Sequence, residues 1–144
     1  MNISKRLQAI ADLIPKGSNL LDIGCDHALL AIYLVSSNIV NNIIVSDISE
    51  GALNQAENNI RSFDLENKIK TKLGDGLESL EENIDTISIS GLGGSTIINI
   101  LNKEKFKLKQ IKTIVLQPNN NDYLVRKSMQ KMGFYIVDEC LIKD

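Results

Sequence analysis

Six consecutive residues, Asp22-Ile23-Gly24-Cys25-Asp26-His27, hold two acids, the only histidine and one of the two cysteines of this 144-residue chain. A glycine at the end of an apolar run supplies a tight turn through which a ligand can approach the main chain. A dinucleotide fingerprint needs a second glycine two positions further on, where backbone must meet a pyrophosphate. Asp26 stands at that position. A carboxylate there repels a pyrophosphate and attracts a cation. The ligand this chemistry favours has a positive end and no phosphate, and S-adenosylmethionine, with its ammonium and sulfonium, is such a molecule. Asp22, Gly24, Cys25, Asp26 and His27 are the candidate residues for its methionine end. Asp47, 25 residues after Asp22 and followed by Ile48, suits the two ribose hydroxyls. Asp75, beside Gly76, can accept from the adenine amino group. The missing second glycine weighs against a nicotinamide-dependent oxidoreductase.

Plainer readings stand beside these. Asp26 can cap the helix that follows. His27 can be a first-turn helix residue with no ligand. Gly74-Asp75-Gly76 can be a turn and nothing more. Gly91, Gly93 and Gly94 can serve only as a strand-to-helix turn. Cys25 reads as a packing residue, since His27 is its sole prospective base.

The elements that must position these residues follow from periodicity. Leu7, Ile10, Ala11 and Ile14 recur at helical spacing, which predicts a helix over 4–14 closed by Pro15-Lys16-Gly17. Residues 19–24 read as a buried strand, 27–36 as a helix, and 42–47 as a strand ending in an acid. Ser49 is the expected N-cap of a helix with Leu53, Ala56, Ile60 and Phe63 on one face. Strands are expected at 68–73, 85–90, 111–116 and 134–142, with helices at 95–101 and around Val125, Met129 and Met132. Such alternation specifies a mostly parallel α/β sheet covered by helices on both faces. The glycine, acid and amide clusters at 24–27, 47–48, 74–76, 91–94 and 117–119 all fall at strand carboxyl ends, where such sheets bind ligands.

Length fits one domain over 1–144. Hydrophobic residues make up 43% of the chain, enough for a globular core. Two cysteines form no disulfide framework and no metal pair, and reduced thiols in a cytoplasmic protein are expected. No signal peptide, membrane span or metal site is expected, and the chain is expected to be monomeric. Net charge is −2, but unevenly spread: residues 1–100 hold 7 basic and 13 acidic side chains, and residues 101–144 hold 9 and 5. Lys103, Lys105, Lys107, Lys109 and Lys112 form either a solvated face or a surface for phosphates.

Taken together, Asp22-Ile23-Gly24-Cys25-Asp26-His27-Ala28, Gly74-Asp75-Gly76-Leu77, Ser90-Gly91-Leu92-Gly93-Gly94 and Leu116-Gln117-Pro118-Asn119 resemble, in order, the motif blocks of the bacterial tRNA adenine-22 N1-methyltransferases. Ser4-Lys5-Arg6-Leu7 matches the family's opening. The resemblance implies a Rossmann-like class I methyltransferase domain, S-adenosylmethionine as cofactor, tRNA as partner, and methyl transfer to adenine N1. It implies that Gly91, Leu92 and Gly93 bind the cofactor and, with Asn119, hold the target base, with Asp26 and His27 assisting at its amino group. The family's final strand and C-terminal helical domain have no counterpart expected in 1–144. The alternative is a module that binds S-adenosylmethionine but turns over little tRNA alone.

Overall fold

The computed structural model describes residues 2–143. Its elements run α1 (Lys5–Leu13), β1 (Ser18–Ile23), α2 (Leu29–Ser36), β2 (Val40–Asp47), α3 (Glu50–Ser62), β3 (Ile69–Leu73), β4 (Thr86–Leu92), α4 (Gly94–Lys103), β5 (Thr113–Pro118) and α5 (Asp122–Lys131). The five strands pair in the order β3-β2-β1-β4-β5, all parallel. The order reverses beside β1, whose neighbours are β2 and β4. A cleft therefore opens beyond the carboxyl ends of β1 and β4.

Side-chain alternation along the strands divides the interior into two layers. Leu20, Ile43, Val45 and Ile69 meet α1, α2 and α3 through Leu7, Ile10, Leu34, Leu53 and Ile60. Leu21, Ile23, Ile44, Ile87 and Ile89 meet α4 and α5 through Ile97, Leu101, Val125 and Met129. β1 and β2 bury apolar side chains on both faces because both faces are covered, whereas β4 buries Ile87 and Ile89 on one face and Thr86 and Ser88 on the other. Caps fix two helix starts: Ser4 accepts from the Leu7 N–H and Ser49 from the Ala52 N–H.

Three expectations are corrected. The helix expected from His27 begins at Leu29, because Asp26, His27 and Ala28 take positive φ values of 37°, 60° and 60°. Phe63 lies one residue past α3 and is half exposed, where the helical register no longer turns it inward. The strand expected at 134–142 does not form. A strand needs a hydrogen-bonded neighbour. After Gly133 the chain does not pair with the outer edge of β5, and Tyr135, Val137 and Leu141 are exposed by 82%, 82% and 96%.

Candidate functional site

The β1 turn starts from Gly24, whose φ of +84° suits glycine. A Cβ built there would meet no atom within 4 Å, so the turn leaves open space above the backbone. The next three residues after Cys25 are left-handed without being glycine. Each costs an L-residue about 1–2 kcal/mol, so the surroundings must hold them. They do so at several points. The Ala28 N–H donates to the Cys25 carbonyl at 2.6 Å, and the Ala28 side chain is fully buried. The Asn59 amide of α3 donates to the His27 carbonyl at 2.9 Å. Arg6 of α1 donates to the Asp26 carboxylate at 3.2 Å. Asp26 is thus an exposed acid paired with an arginine, not the helix cap that its position suggested. His27 is exposed beside it.

Asp47 ends β2, and both its oxygens are engaged. One accepts from the Ser49 N–H at 2.8 Å and the other from the Cys25 N–H at 3.1 Å. The oxygen bound to Ser49 retains acceptor capacity for a hydroxyl, while the other is shared between the Cys25 N–H and thiol. The Cys25 thiol donates to Asp47 at 3.4 Å and to the Ala52 carbonyl at 3.6 Å. Burial, followed by the Asp47 charge, pushes this thiol up to about 12. It stays protonated and packs, as the bland reading held. Ile48 is 71% exposed beyond the strand end, an apolar surface free to cover a ring. Asp75 follows β3 and pairs with Lys103 at 2.9 Å through one oxygen.

The β4 and β5 ends are clamped together. The Gly91 N–H donates to the Gln117 side-chain oxygen at 2.9 Å, and the Gly91 carbonyl accepts from the Asn119 amide at 3.0 Å. Gln117 also accepts from Arg6 at 3.1 Å. A Cβ at Gly94 would come within 2.6 Å of the Asn120 carbonyl, so α4 can start there only on a glycine. The Asn120 side chain accepts from the Gly94 N–H.

A cavity of about 410 Å³ lies between these ends, lined by Arg6, Gly24, Asp26, Asp47, Ser90, Gly91, Leu92 and Asn119. Six of the residues expected from the sequence are therefore together: Gly24, Asp26, Asp47, Gly91, Leu92 and Asn119. Cys25, His27, Ile48, Asp75, Gly76 and Gly93 are not among its lining. Asp22 lies beneath the turn, 3% exposed, with its carboxylate accepting from Ser88 at 2.7 Å. Burial raises its pKa to about 7, with Asp26 adding to the rise and Ser88 and Arg6 opposing it. The lining residues missed from the sequence are Ser90 and Arg6, the one cation in the lining. Gln117, which holds it, belongs to the Leu116-Gln117-Pro118-Asn119 block at the end of β5. Tyr123 and Lys127 do form a Tyr-x-x-x-Lys spacing, but on α5 and outside this lining.

The cavity has two carboxylates, one guanidinium, an open glycine turn and an apolar wall at Leu92. Residues 3–144 match the family of methyltransferase domains. The chain is 34% identical over 145 residues to the tRNA (adenine(22)-N(1))-methyltransferase of Bacillus subtilis, spanning all of this chain and 61% of that one. A Streptococcus pneumoniae candidate tRNA (m1A22) methyltransferase, solved in complex with S-adenosyl-L-methionine, superposes with a TM-score of 0.95 at 36% identity. That match covers 99% of this chain and 68% of the other. The chain belongs to the tRNA (adenine(22)-N(1))-methyltransferase family. A second structure of the tRNA (adenine(22)-N(1))-methyltransferase family, Mycoplasma capricolum TrmK with S-adenosyl-homocysteine, superposes with a TM-score of 0.89 at 34% identity, covering 99% and 63% of the two chains. The chain spans 61% to 66% of the three curated tRNA methyltransferases it matches.

Proposed function

We propose that this chain binds S-adenosylmethionine in the cavity between the β1 and β4 ends and transfers its methyl group to N1 of the adenine at position 22 of tRNA. The observation that carries this reading is the cavity itself. It joins an open glycine turn to the carboxylates of Asp26 and Asp47 at the point where strand order reverses. This donor set fits the cofactor. Asp26 meets an ammonium, Arg6 a carboxylate, and Asp47 the ribose hydroxyls. Asp75 keeps one oxygen free of Lys103 for the adenine amino group, and Ile48 covers the ring.

The bound cofactor would supply an electrophilic methyl group. The protein's task is then mostly geometric. Neutral adenine offers an in-plane lone pair at N1, so no proton need leave before attack. Gly91, Leu92 and Asn119 hold the base in line with the methyl group and keep water out. Gly91 spends both its N–H and its carbonyl on Gln117 and Asn119. That leaves the Leu92 side chain and the Asn119 side-chain oxygen, which the Gln117 amide approaches only to 3.4 Å, as the groups facing the base. Asp26 and His27 orient its amino group. A paired adenine must first be turned out of the helix. tRNA as substrate places the reaction in the cytoplasm. No group of three or more metal-ligating side chains occurs among the described residues, and none of their helices is long and apolar enough to cross a membrane.

The test is incubation of unmodified tRNA with this chain and S-adenosylmethionine. Intact mass should rise by one methyl group, and reverse transcription should stop at position 22. Asp26→Ala should lower turnover at least about tenfold. Methylation at another position, or full turnover by Asp26→Ala with the fold kept, would sink these assignments. One observation favours a second reading, a cofactor-binding module of low activity: the chain spans about two thirds of its curated relatives or less. Calorimetric binding of S-adenosylmethionine without tRNA methylation would select it.

A further inference from the structure

We propose that Asn59 is a positioning residue for the methyl-transfer end of the site. The proposal rests on the cofactor reading given above. Asn59 lies in the last turn and a half of α3, the helix that opens just after Asp47. Its amide donates to the carbonyl of His27, 32 residues earlier, at 2.9 Å. His27 is the middle residue of three successive left-handed, non-glycine residues. Such a run does not persist by local preference, and an α-helix starting at Asp26 is the unstrained alternative. The alternative would turn the 26–27 peptide and carry Asp26 away from Arg6. Asn59 opposes it by binding the one carbonyl at the centre of the run. The bond also joins the two halves of the cavity wall: Ser49, the cap of α3, carries the backbone amide that binds Asp47, and the turn carries Asp26. Asn59 does not line the cavity, so it acts through His27 and Asp26.

The experiment uses the chain's only histidine as a probe. Imidazole proton signals are recorded for wild type, Asn59→Leu and Asn58→Leu, with and without S-adenosylhomocysteine, alongside tRNA methylation rates. Asn58 sits next to Asn59 on α3 and bonds only to Arg61, so it controls for effects on the helix. Wild type and Asn58→Leu should give one sharp His27 signal set. Asn59→Leu should give a broadened or doubled set, with kcat down about tenfold or more and S-adenosylhomocysteine affinity weakened as well, because Asp26 faces the ammonium. If Asn59→Leu does not fold, the isosteric Asn59→Asp is read the same way, since it sets a carboxylate against the carbonyl. A single unshifted His27 set in the folded Asn59 variant overturns the proposal, and so does an equal loss in Asn58→Leu. Failure of both Asn59 variants to fold overturns it too, since Asn59 would then hold the fold and not the site. If wild type binds no S-adenosylhomocysteine, the cofactor reading fails, and the ligand-free His27 spectra still decide the role of Asn59 in the turn.

Discussion

Asp22 and Cys25 sit three residues apart and differ in what burial does for them. The Asp22 pKa of about 7 is set by desolvation, which the single Ser88 hydroxyl does not offset. The folded chain therefore holds a proton that the unfolded chain, with a value near 3.8, releases. Between these values the native state binds more protons, so stability falls as pH rises from about 4 to about 7. The full span is of the order of 4 kcal/mol. Asp22→Asn should flatten that part of a thermal-unfolding pH profile. The same group gives cofactor binding its pH dependence. A cation above the turn favours ionised Asp22, so calorimetric affinity should rise from pH 6 to pH 8 in wild type and not in Asp22→Asn. An unchanged slope in the variant would separate Asp22 from the ligand. Cys25 is neutral for the same reason and inaccessible besides, being 1% exposed, whereas Cys140 is exposed. Iodoacetamide at pH 8 should label one thiol per native chain, and Cys140→Ser should take almost none. Rapid labelling of that variant would contradict the buried, protonated thiol.

At the scale of elements, legibility followed the range of the forces involved. β1, β2 and β5 announce themselves through runs such as Leu20-Leu21 and Ile43-Ile44-Val45, because both faces of a doubly covered parallel strand are buried, whereas β4 shows itself by Ile87 and Ile89 alternating with Thr86 and Ser88. The α3 cap at Ser49 is local chemistry and was equally plain. The left-handed turn at 26–28 was not. Nothing within its own residues demands that conformation, and the groups that hold it come from α1 and α3. Arg6 was invisible as a site residue for a related reason: its partner Gln117 lies 111 residues away. The lysine run was visible as charge but not as pairing. Lys103 is bound to Asp75 and Lys107 to Glu104, while Lys105, Lys109 and Lys112 are exposed and make no ion pair among the described residues. If this segment meets tRNA phosphates, those three lysines do so. Replacing all three with Gln should make the plot of log affinity for tRNA against log salt shallower by roughly two units. An unchanged slope would make the segment a solvated face.

At the scale of the whole molecule, the sheet is covered on its two faces and ends in β3 at one edge and β5 at the other. The interior between β1, β4 and α4 is fully closed, with Ile87, Ile89, Ile97 and Leu101 all at 0% exposure. Beyond α5 the chain carries Tyr135, Val137 and Leu141 into solvent, tied back mainly by the Arg126–Glu139 ion pair at 2.7 Å. That pair is exposed at both ends and worth little. The two regions therefore divide the chain energetically, although their compositions look alike in the sequence. Ile87→Ala should destabilise the fold by about 2–5 kcal/mol, because the closed interior cannot collapse around the lost atoms. Tyr135→Ser with Val137→Ser should change stability by no more than about 0.5 kcal/mol. Urea unfolding of the two variants measures both. A large loss in the double variant would mean that residues 134–142 are bound to the β5 edge in solution as the strand expected there.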